Sequence, residues 1–123
     1  MTKKAAGFEI ADFDAIEPGE CPCGSSRRAF VDGDGSMSLH QLQIRNEDKP
    51  HRHDTDEIYY IVACGPDAAM WLQGVRYPVK PGQAIKIKGG TMHCADRGKE
   101  LMTVLVVVAT GHGSPEATMH FED

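Results

Sequence analysis

The chain concentrates its chemically distinctive residues in one run, Pro50-His51-Arg52-His53-Asp54-Thr55-Asp56-Glu57-Ile58-Tyr59-Tyr60-Ile61-Val62. Because side chains on a strand alternate between its two faces, His51 and His53 present both imidazoles to the same side. A straight strand would extend roughly 20 Å from His51 to Glu57, at about 3.3 Å per residue. No single ion spans that distance. If all three side chains bind one metal ion, the chain must fold back between them.

The segment Asp54-Thr55-Asp56 supplies a turn at the required place, because Asp side chains hydrogen-bond to their own backbone. We therefore predict two adjacent antiparallel strands joined by this turn. The first carries His51 and His53, and the second begins at Glu57.

The second of these strands is predicted to direct one face inward. Glu57, Tyr59 and Ile61 share that face because they are two residues apart. Tyr60 then faces outward and is expected to serve packing.

Short alternating or aliphatic segments continue along the rest of the chain. The predicted strands are 27–31, 38–44, 68–72, 75–79, 83–88 and 101–109. Turn signals recur about every eight to twelve residues, and helical periodicity is lacking, which indicates an all-β sandwich or barrel. The nearly unbroken aliphatic run Leu101–Ala109 predicts a strand buried on both faces. On segment 38–44, His40 is expected to share a face with Leu42 and Ile44.

Composition and charge argue against several classes of protein. A length of 123 residues fits one domain, and a net charge of −5 without a basic stripe argues against a nucleic-acid partner. Glu9 and Asp12 interrupt any apolar segment of a signal peptide. The longest apolar run, Val104–Ala109, is too short to cross a bilayer. We therefore expect a cytoplasmic protein with no membrane partner.

The sequence contains four cysteines, Cys21, Cys23, Cys64 and Cys94, whose chemical state in the cytoplasm has to be predicted. Cys21 and Cys23 are separated by one residue, not by the two of a thioredoxin-like or zinc-knuckle pair. Reduced thiols buried as small hydrophobic groups are the simplest interpretation. A Cys21–Cys23 pair that binds metal or cycles to a disulfide is the alternative.

The first 20 residues carry apolar side chains among acidic ones, and the segment Phe8–Ile16 predicts an extended arm. Small β proteins hide apolar edges by pairing or covering them, so we expect this arm to contact a second copy in a homodimer. The predicted boundaries are residues 1–36 for the arm and an edge strand, 37–110 for the barrel and 111–123 for a C-terminal tail.

Two adjacent arginines, Arg27 and Arg28, lie on a predicted strand. They must point to opposite faces, so at most one reaches the interior. An inward guanidinium would suit an anionic ligand, but two solvated surface arginines are the favoured interpretation.

With these motifs in place, the sequence resembles the cupin family. Its first motif is Gly-x5-His-x-His-x3/4-Glu-x6-Gly, matched by His51, His53 and Glu57, with Gly65 one residue late and Arg45 in place of the leading Gly. Its second motif is Gly-x5-Pro-x-Gly-x2-His-x3-Asn. That motif is matched by Gly82, Gly90 and His93, with Lys88 in place of Pro and Arg97 in place of Asn. The departures fall at turn positions and leave the ligand positions intact.

This resemblance implies a cupin-type jelly-roll β-barrel, also called a double-stranded β-helix. It implies that His51, His53, Glu57 and His93 bind one divalent transition-metal ion, with Fe, Mn, Ni, Co, Cu and Zn all open. Four protein ligands in an octahedral arrangement leave two positions for water, substrate or dioxygen.

Three functions follow from the resemblance. The first is a metal-dependent lyase or isomerase for a small polar or anionic ligand, with Tyr59 as the candidate base, similar to a tyrosine in cupin-type lyases that release dimethyl sulfide. A Tyr59 that lines the barrel with its hydroxyl hydrogen-bonded is the alternative of equal weight. The second is an Fe- or Ni-dependent dioxygenase, although thiol dioxygenases of this fold usually lack the carboxylate ligand. The third is a non-catalytic ligand-binding or sensing module. Inward-facing Tyr59, His40, and Arg27 or Arg28 would favour catalysis.

Overall fold

The computed structural model describes residues 2–5, 7–31, 36–109 and 120–121. The strands are β1 Thr2–Ala5, β2 Phe8–Ala11, β3 Gly19–Cys21, β4 Gly24–Ala29, β5 Ser38–Ile44, β6 His51–Arg52, β7 Glu57–Ala63, β8 Ala69–Leu72, β9 Val75–Pro78, β10 Ala84–Ile87, β11 His93–Asp96, β12 Met102–Val108 and β13 His120–Phe121. One 3₁₀ turn spans Phe13–Ala15. The described residues contain no α-helix, and hence none that could span a membrane.

The strands form two main antiparallel sheets and one small one. The six-stranded sheet has the order β10-β7-β12-β5-β4-β3, and the five-stranded sheet has the order β13-β6-β11-β8-β9. The all-β prediction is confirmed. The predicted tail lies outside the described residues, except for β13, which pairs with β6.

The predicted hairpin between His51 and Val62 is wrong. β6 pairs with β11 and β13, whereas β7 pairs with β10 and β12 in the other sheet. The chain therefore crosses between the two sheets at 54–56, and His53 lies in this corner rather than on β6. A turn signal predicts a change of direction, but it does not identify the strand that supplies the next hydrogen-bond partners.

The loop before β11 holds this corner in place. The Gly90 N–H donates to the carbonyl oxygen of His53 at 2.7 Å, and the Gly89 N–H donates to Asp56 Oδ1 at 2.8 Å. A Cβ atom on Gly89 would collide with the backbone carbonyl of Asp54. The position of His53 thus depends on a close backbone approach that only Gly permits.

The core lies between the two main sheets. It includes buried apolar side chains from both: Cys23, Ile44, Tyr59, Ile61, Ala68, Met70, Val79, Ile87, Ala95, Met102, Val104, Val106 and Val108. The prediction that the last long strand is buried on both faces is wrong for one face. Thr103, Leu105 and Val107 are half-buried, because in the described part of the chain no second layer covers the outside of the six-stranded sheet.

The N-terminal segment differs from the predicted extended arm. β1 and β2 form a separate two-stranded antiparallel sheet, followed by the 3₁₀ turn. On β2, Phe8 and Ile10 are each 58% exposed. This hairpin pairs with neither of the two main sheets within the described residues.

Gly24 provides a test of the packing between β4 and β5. Its φ is +151°, and a Cβ atom there would collide with the backbone carbonyl oxygen of Gln43. We predict that Gly24→Ala lowers the free energy of unfolding by at least about 2 kcal/mol, measured by urea denaturation.

The matched control is Gly74→Ala, at φ +79° with no heavy atom within 4 Å of the added Cβ. Only the left-handed backbone penalises that change, at about 1 kcal/mol. Equal losses of stability in the two variants would show that the backbone of Gly24 on β4 does not lie in close contact with the Gln43 carbonyl on β5.

Candidate metal centre

Three histidines meet at the junction of β6, β11 and the corner. The backbone pairing of β6 with β11 places His51 opposite His93, with ring centroids 4.5 Å apart. The ring of His53 is 5.1 Å from that of His51 and 5.6 Å from that of His93. One potential ligand atom from each residue lies within 4.8 Å of the other two, and all three residues are buried.

Backbone carbonyls orient two of these imidazoles. His51 Nδ1 lies 2.8 Å from the Lys49 oxygen, and His93 Nδ1 lies 2.8 Å from the Thr91 oxygen. A carbonyl oxygen only accepts, so each Nδ1–H donates. In the neutral tautomer the lone pair is therefore on Nε2, as in histidine ligands held by an outer hydrogen bond.

Glu57 lies against this cluster from the first position of β7. Its Oε1 is 3.2 Å from His93 Nε2, and its Oε2 is 3.6 Å from His53 Nε2. Both Oε1 and His93 Nε2 are buried without a hydrogen bond. Ligands at right angles around an ion, with bonds of about 2.1 Å, lie about 3.0 Å apart. The unsatisfied pair therefore fits a shared cation, which would compensate both atoms.

The electrostatics of His93 follow from the same neighbours. Burial by itself lowers the pKa of His93, but the adjacent Glu57 and the Thr91 carbonyl outweigh burial, so the pKa is raised. A buried imidazole beside a carboxylate thus attracts positive charge, which either a proton or a metal ion can supply.

A cavity of about 90 Å³ adjoins the cluster. Tyr59, predicted to face inward, lines it and is 5% exposed, with its ring 5.7 Å from that of His93. Burial, and after it the charge of Glu57, raises the pKa of Tyr59 well above its usual value. A role for Tyr59 as a base therefore requires a positive charge near its oxygen.

A second side of the cavity comes from β4 and β5, where Arg28 pairs with His40 in register. Both side chains line the cavity, whereas Arg27 lies with Gln41 at a separate surface pocket. Ser38 Oγ lies 2.9 Å from His40 Nε2. Both arginines are half-buried, so the interpretation as two solvated side chains is wrong, and Arg28 rather than Arg27 lines the cavity.

Asp48 is a cavity residue that sequence reasoning missed. Its Oδ2 accepts from the Ala95 N–H at 3.1 Å, and its Oδ1 is 4.0 Å from His51 Nδ1. Burial raises the pKa of Asp48, and the charge of His51 opposes the shift. It lies on an irregular segment, where no periodic pattern could have marked it as inward.

No known family model matches the sequence, and neither does any curated protein. Solved structures do match. A protein from Planctomyces limnophilus is 28% identical with a TM-score of 0.83, over 95% of this chain and 100% of that one. Oxalate decarboxylase from Bacillus subtilis is 17% identical with a TM-score of 0.72, over 89% of this chain and 30% of that one. KdgF from Halomonas sp. is 21% identical with a TM-score of 0.63, over 79% of this chain and 90% of that one.

The chain folds as a cupin. The jelly-roll prediction is therefore confirmed, although the chain spans less than a third of the oxalate decarboxylase. The decarboxylase has Mn(II) centres, and the buried three-histidine cluster gives this chain a site suited to a divalent metal ion.

Metal content tests the cluster directly. Because His93 contributes a buried imidazole, we predict that His93→Ala weakens metal binding at least about 100-fold, measured by elemental analysis and by competition with a chelator. His40→Gln is the matched control, since His40 lines the cavity but is not part of the cluster. Retention of stoichiometric metal by His93→Ala would rule this residue out as a ligand.

Proposed function

We propose that this cupin is a metal-dependent lyase or isomerase that removes a proton next to a carboxylate or carbonyl group of a small anionic substrate. The observation that supports the proposal is the set of side chains that line one cavity. Beside the three-histidine cluster it combines a guanidinium, a phenol and an imidazole, from Arg28, Tyr59 and His40.

The proposed ligands of the metal ion are His51, His53, Glu57 and His93. The carboxylate is included because both of its oxygens lie within 3.6 Å of a histidine Nε2 atom. A divalent ion held there would polarise a bound carboxylate or carbonyl oxygen and so acidify the neighbouring C–H bond. The cupin supplies the remaining groups from the six-stranded sheet.

Arg28 is proposed to bind the charged end of the substrate. Guanidinium groups pair with carboxylates through two parallel hydrogen bonds, which fixes orientation as well as charge. The cavity volume of about 90 Å³ is small beside the roughly 300–1,000 Å³ of pockets for drug-sized ligands. That size suits a compact organic acid, and oxalate decarboxylase, which shares the fold, acts on a small dianion according to its name.

Tyr59 is proposed to exchange the proton with the substrate. It faces the cavity from β7, two residues after Glu57, and its ring lies edge-on to that of His93. Positive charge from a bound metal ion and from Arg28 would oppose the rise in the pKa of this buried phenol, so that the phenol could accept a proton from the substrate. His40 faces Arg28 across the strand pair and is proposed to position the substrate with it.

A sensing module would be expected to show apolar walls and one anchoring charge. The cavity does have apolar walls, formed by Leu42, Ile44, Val106 and Val108. It also contains several ionisable side chains, however, rather than one anchoring charge. This excess of ionisable groups favours catalysis.

Hydrogen exchange tests this function without requiring that the product be identified. Metal-loaded protein is incubated in D₂O with a panel of small oxo- and hydroxycarboxylic acids, and deuterium incorporation beside the carboxylate is followed by NMR. We predict incorporation or product formation for at least one acid, lost on removal of the metal ion. Binding of an acid without either change would establish a sensing module, and oxygen consumption would establish a dioxygenase.

Substitution of Tyr59 separates proton transfer from binding. Tyr59→Phe should lower kcat about 10²- to 10⁴-fold and leave metal content unchanged. Arg28→Met should instead raise KM about 10- to 100-fold, because a charge-assisted hydrogen bond is lost. A Tyr59→Phe variant with full kcat would exclude the phenol from proton transfer.

We further propose that the N-terminal hairpin binds a second copy of the chain. An isolated two-stranded hairpin is marginally stable in water at best, yet β1–β2 forms a sheet of its own and exposes Phe8 and Ile10. Packing against a partner would bury both side chains.

Light scattering on a sizing column tests this dimer. The double substitution Phe8→Ser and Ile10→Ser should convert it to a monomer, because about 3 kcal/mol of apolar burial per subunit is lost. Val75→Ser, which removes an apolar side chain of similar exposure elsewhere (52%), should leave the mass unchanged. A monomeric wild-type protein would contradict the proposal.

A further inference from the structure

The turn between β3 and β4 brings two thiols together at the cavity. Cys21 pairs with Gly24, so Pro22 and Cys23 form a two-residue loop. The Sγ atoms of Cys21 and Cys23 are 3.0 Å apart, about 1 Å longer than a disulfide bond. Both residues line the cavity that adjoins the histidine cluster, and all four cysteines are unbridged.

This pair is held in place by the backbone around it. The Cys23 carbonyl oxygen accepts from Arg45 N–H at 2.8 Å and from Asn46 N–H at 3.0 Å. Pro22 fixes one backbone dihedral of the loop, and Gly24 allows the following strand to approach β5 closely. Little conformational freedom therefore remains to be lost when the two sulfurs meet.

The two thiols differ in ways that suit two different roles. Cys21 is half-buried, whereas Cys23 is 8% exposed, so an external reagent reaches Cys21 first. The hydrogen bond from Cys23 lowers the pKa of Cys21 to about 6, although burial opposes this shift. The same hydrogen bond, with burial, raises the pKa of Cys23.

These shifts would give Cys21 a modest kinetic advantage. The lowered pKa of Cys21 increases the fraction of this residue that is thiolate at neutral pH. The lower pKa also reduces the intrinsic nucleophilicity of the sulfur, so the gain in rate is smaller than the gain in thiolate fraction. The proximity of the second thiol therefore favours disulfide formation more strongly than this gain does.

We propose that Cys21 and Cys23 are a redox-active thiol pair that forms a reversible disulfide in the cavity wall by exchange with a low-molecular-weight disulfide. The Cys21 thiolate attacks one sulfur of that disulfide, forms a mixed disulfide and expels the other half as a thiolate. Cys23 then loses its proton and attacks Cys21 Sγ, which forms the intramolecular bond and expels the second half. The small disulfide gains two electrons and, with the proton of Cys23 and one from solvent, leaves as two thiols.

This assignment is independent of the lyase or isomerase proposal, because it needs neither a substrate nor a metal ion. Metal-loaded wild-type protein is reduced, transferred to oxygen-free glutathione buffers of increasing disulfide content and quenched with an alkylating reagent. Intact mass and peptide mapping then identify the oxidised residues. The expected result is the loss of two hydrogen atoms, a Cys21–Cys23 bond and full reversal by dithiothreitol.

Variants distinguish the two roles. Cys23→Ser, whose hydroxyl can still donate to Cys21, should stop at a stable glutathione adduct on Cys21. Cys21→Ser should leave Cys23 unmodified over the same time. The double variant Cys64→Ser and Cys94→Ser should oxidise as the wild type does.

Three results of the glutathione titration would overturn the assignment, and each is obtained from the wild-type protein alone. They are persistent separate glutathione adducts on Cys21 and Cys23, a bond that involves Cys64 or Cys94, and the absence of any oxidation at a disulfide content that oxidises free cysteine. Protection of both thiols from alkylation by added Zn²⁺, with no disulfide formed, would instead assign the pair to metal binding.

Discussion

The pairing of the two-residue strand β6 with β11 is the constraint on which the site depends. It places His51 opposite His93 in register, and neighbouring carbonyls at Lys49 and Thr91 set the orientation of both rings. Because the acceptors are backbone carbonyls, the orientation of the two rings does not depend on the identity of the Lys49 and Thr91 side chains. A shift by one residue would turn one ring to the opposite face.

The two main sheets contribute different residues to the site. The five-stranded sheet and the corner that follows it supply the three clustered histidines, while the six-stranded sheet supplies Glu57, Tyr59, Arg28 and His40. Burying a carboxylate against imidazoles is unfavourable unless positive charge accompanies it. A cation between the sheets would therefore stabilise the packing of the two layers as well as create a reactive centre.

The departures from the cupin motifs lie where the chain can tolerate them. Lys88, in place of Pro, forms an exposed ion pair with Asp56 at 3.2 Å, a contact that contributes little stability. Arg45, in place of Gly, donates from its side chain to Ser25 Oγ at 3.1 Å and from its backbone to Cys23. These substitutions alter the periphery and the thiol loop, and the histidine cluster keeps its spacing.

The sequence by itself determined the local features of this protein. Alternation predicted the strand Ser38–Ile44 with its observed ends and the inward face of Glu57, Tyr59 and Ile61. The Gln73–Gly74 turn correctly predicted the β8–β9 pair. Motif spacing pointed to the three histidines that the fold brings together.

Only the tertiary structure decided which strands pair and that the chain crosses between the two sheets after His53. It also decided that Arg28 rather than Arg27 lines the cavity and that Asp48 lies beside His51. The physical reason is the different sequence range over which these interactions act. Periodicity and turn chemistry act over a few residues, whereas sheet partners and cavity walls depend on contacts between segments far apart in the chain, which no local pattern encodes.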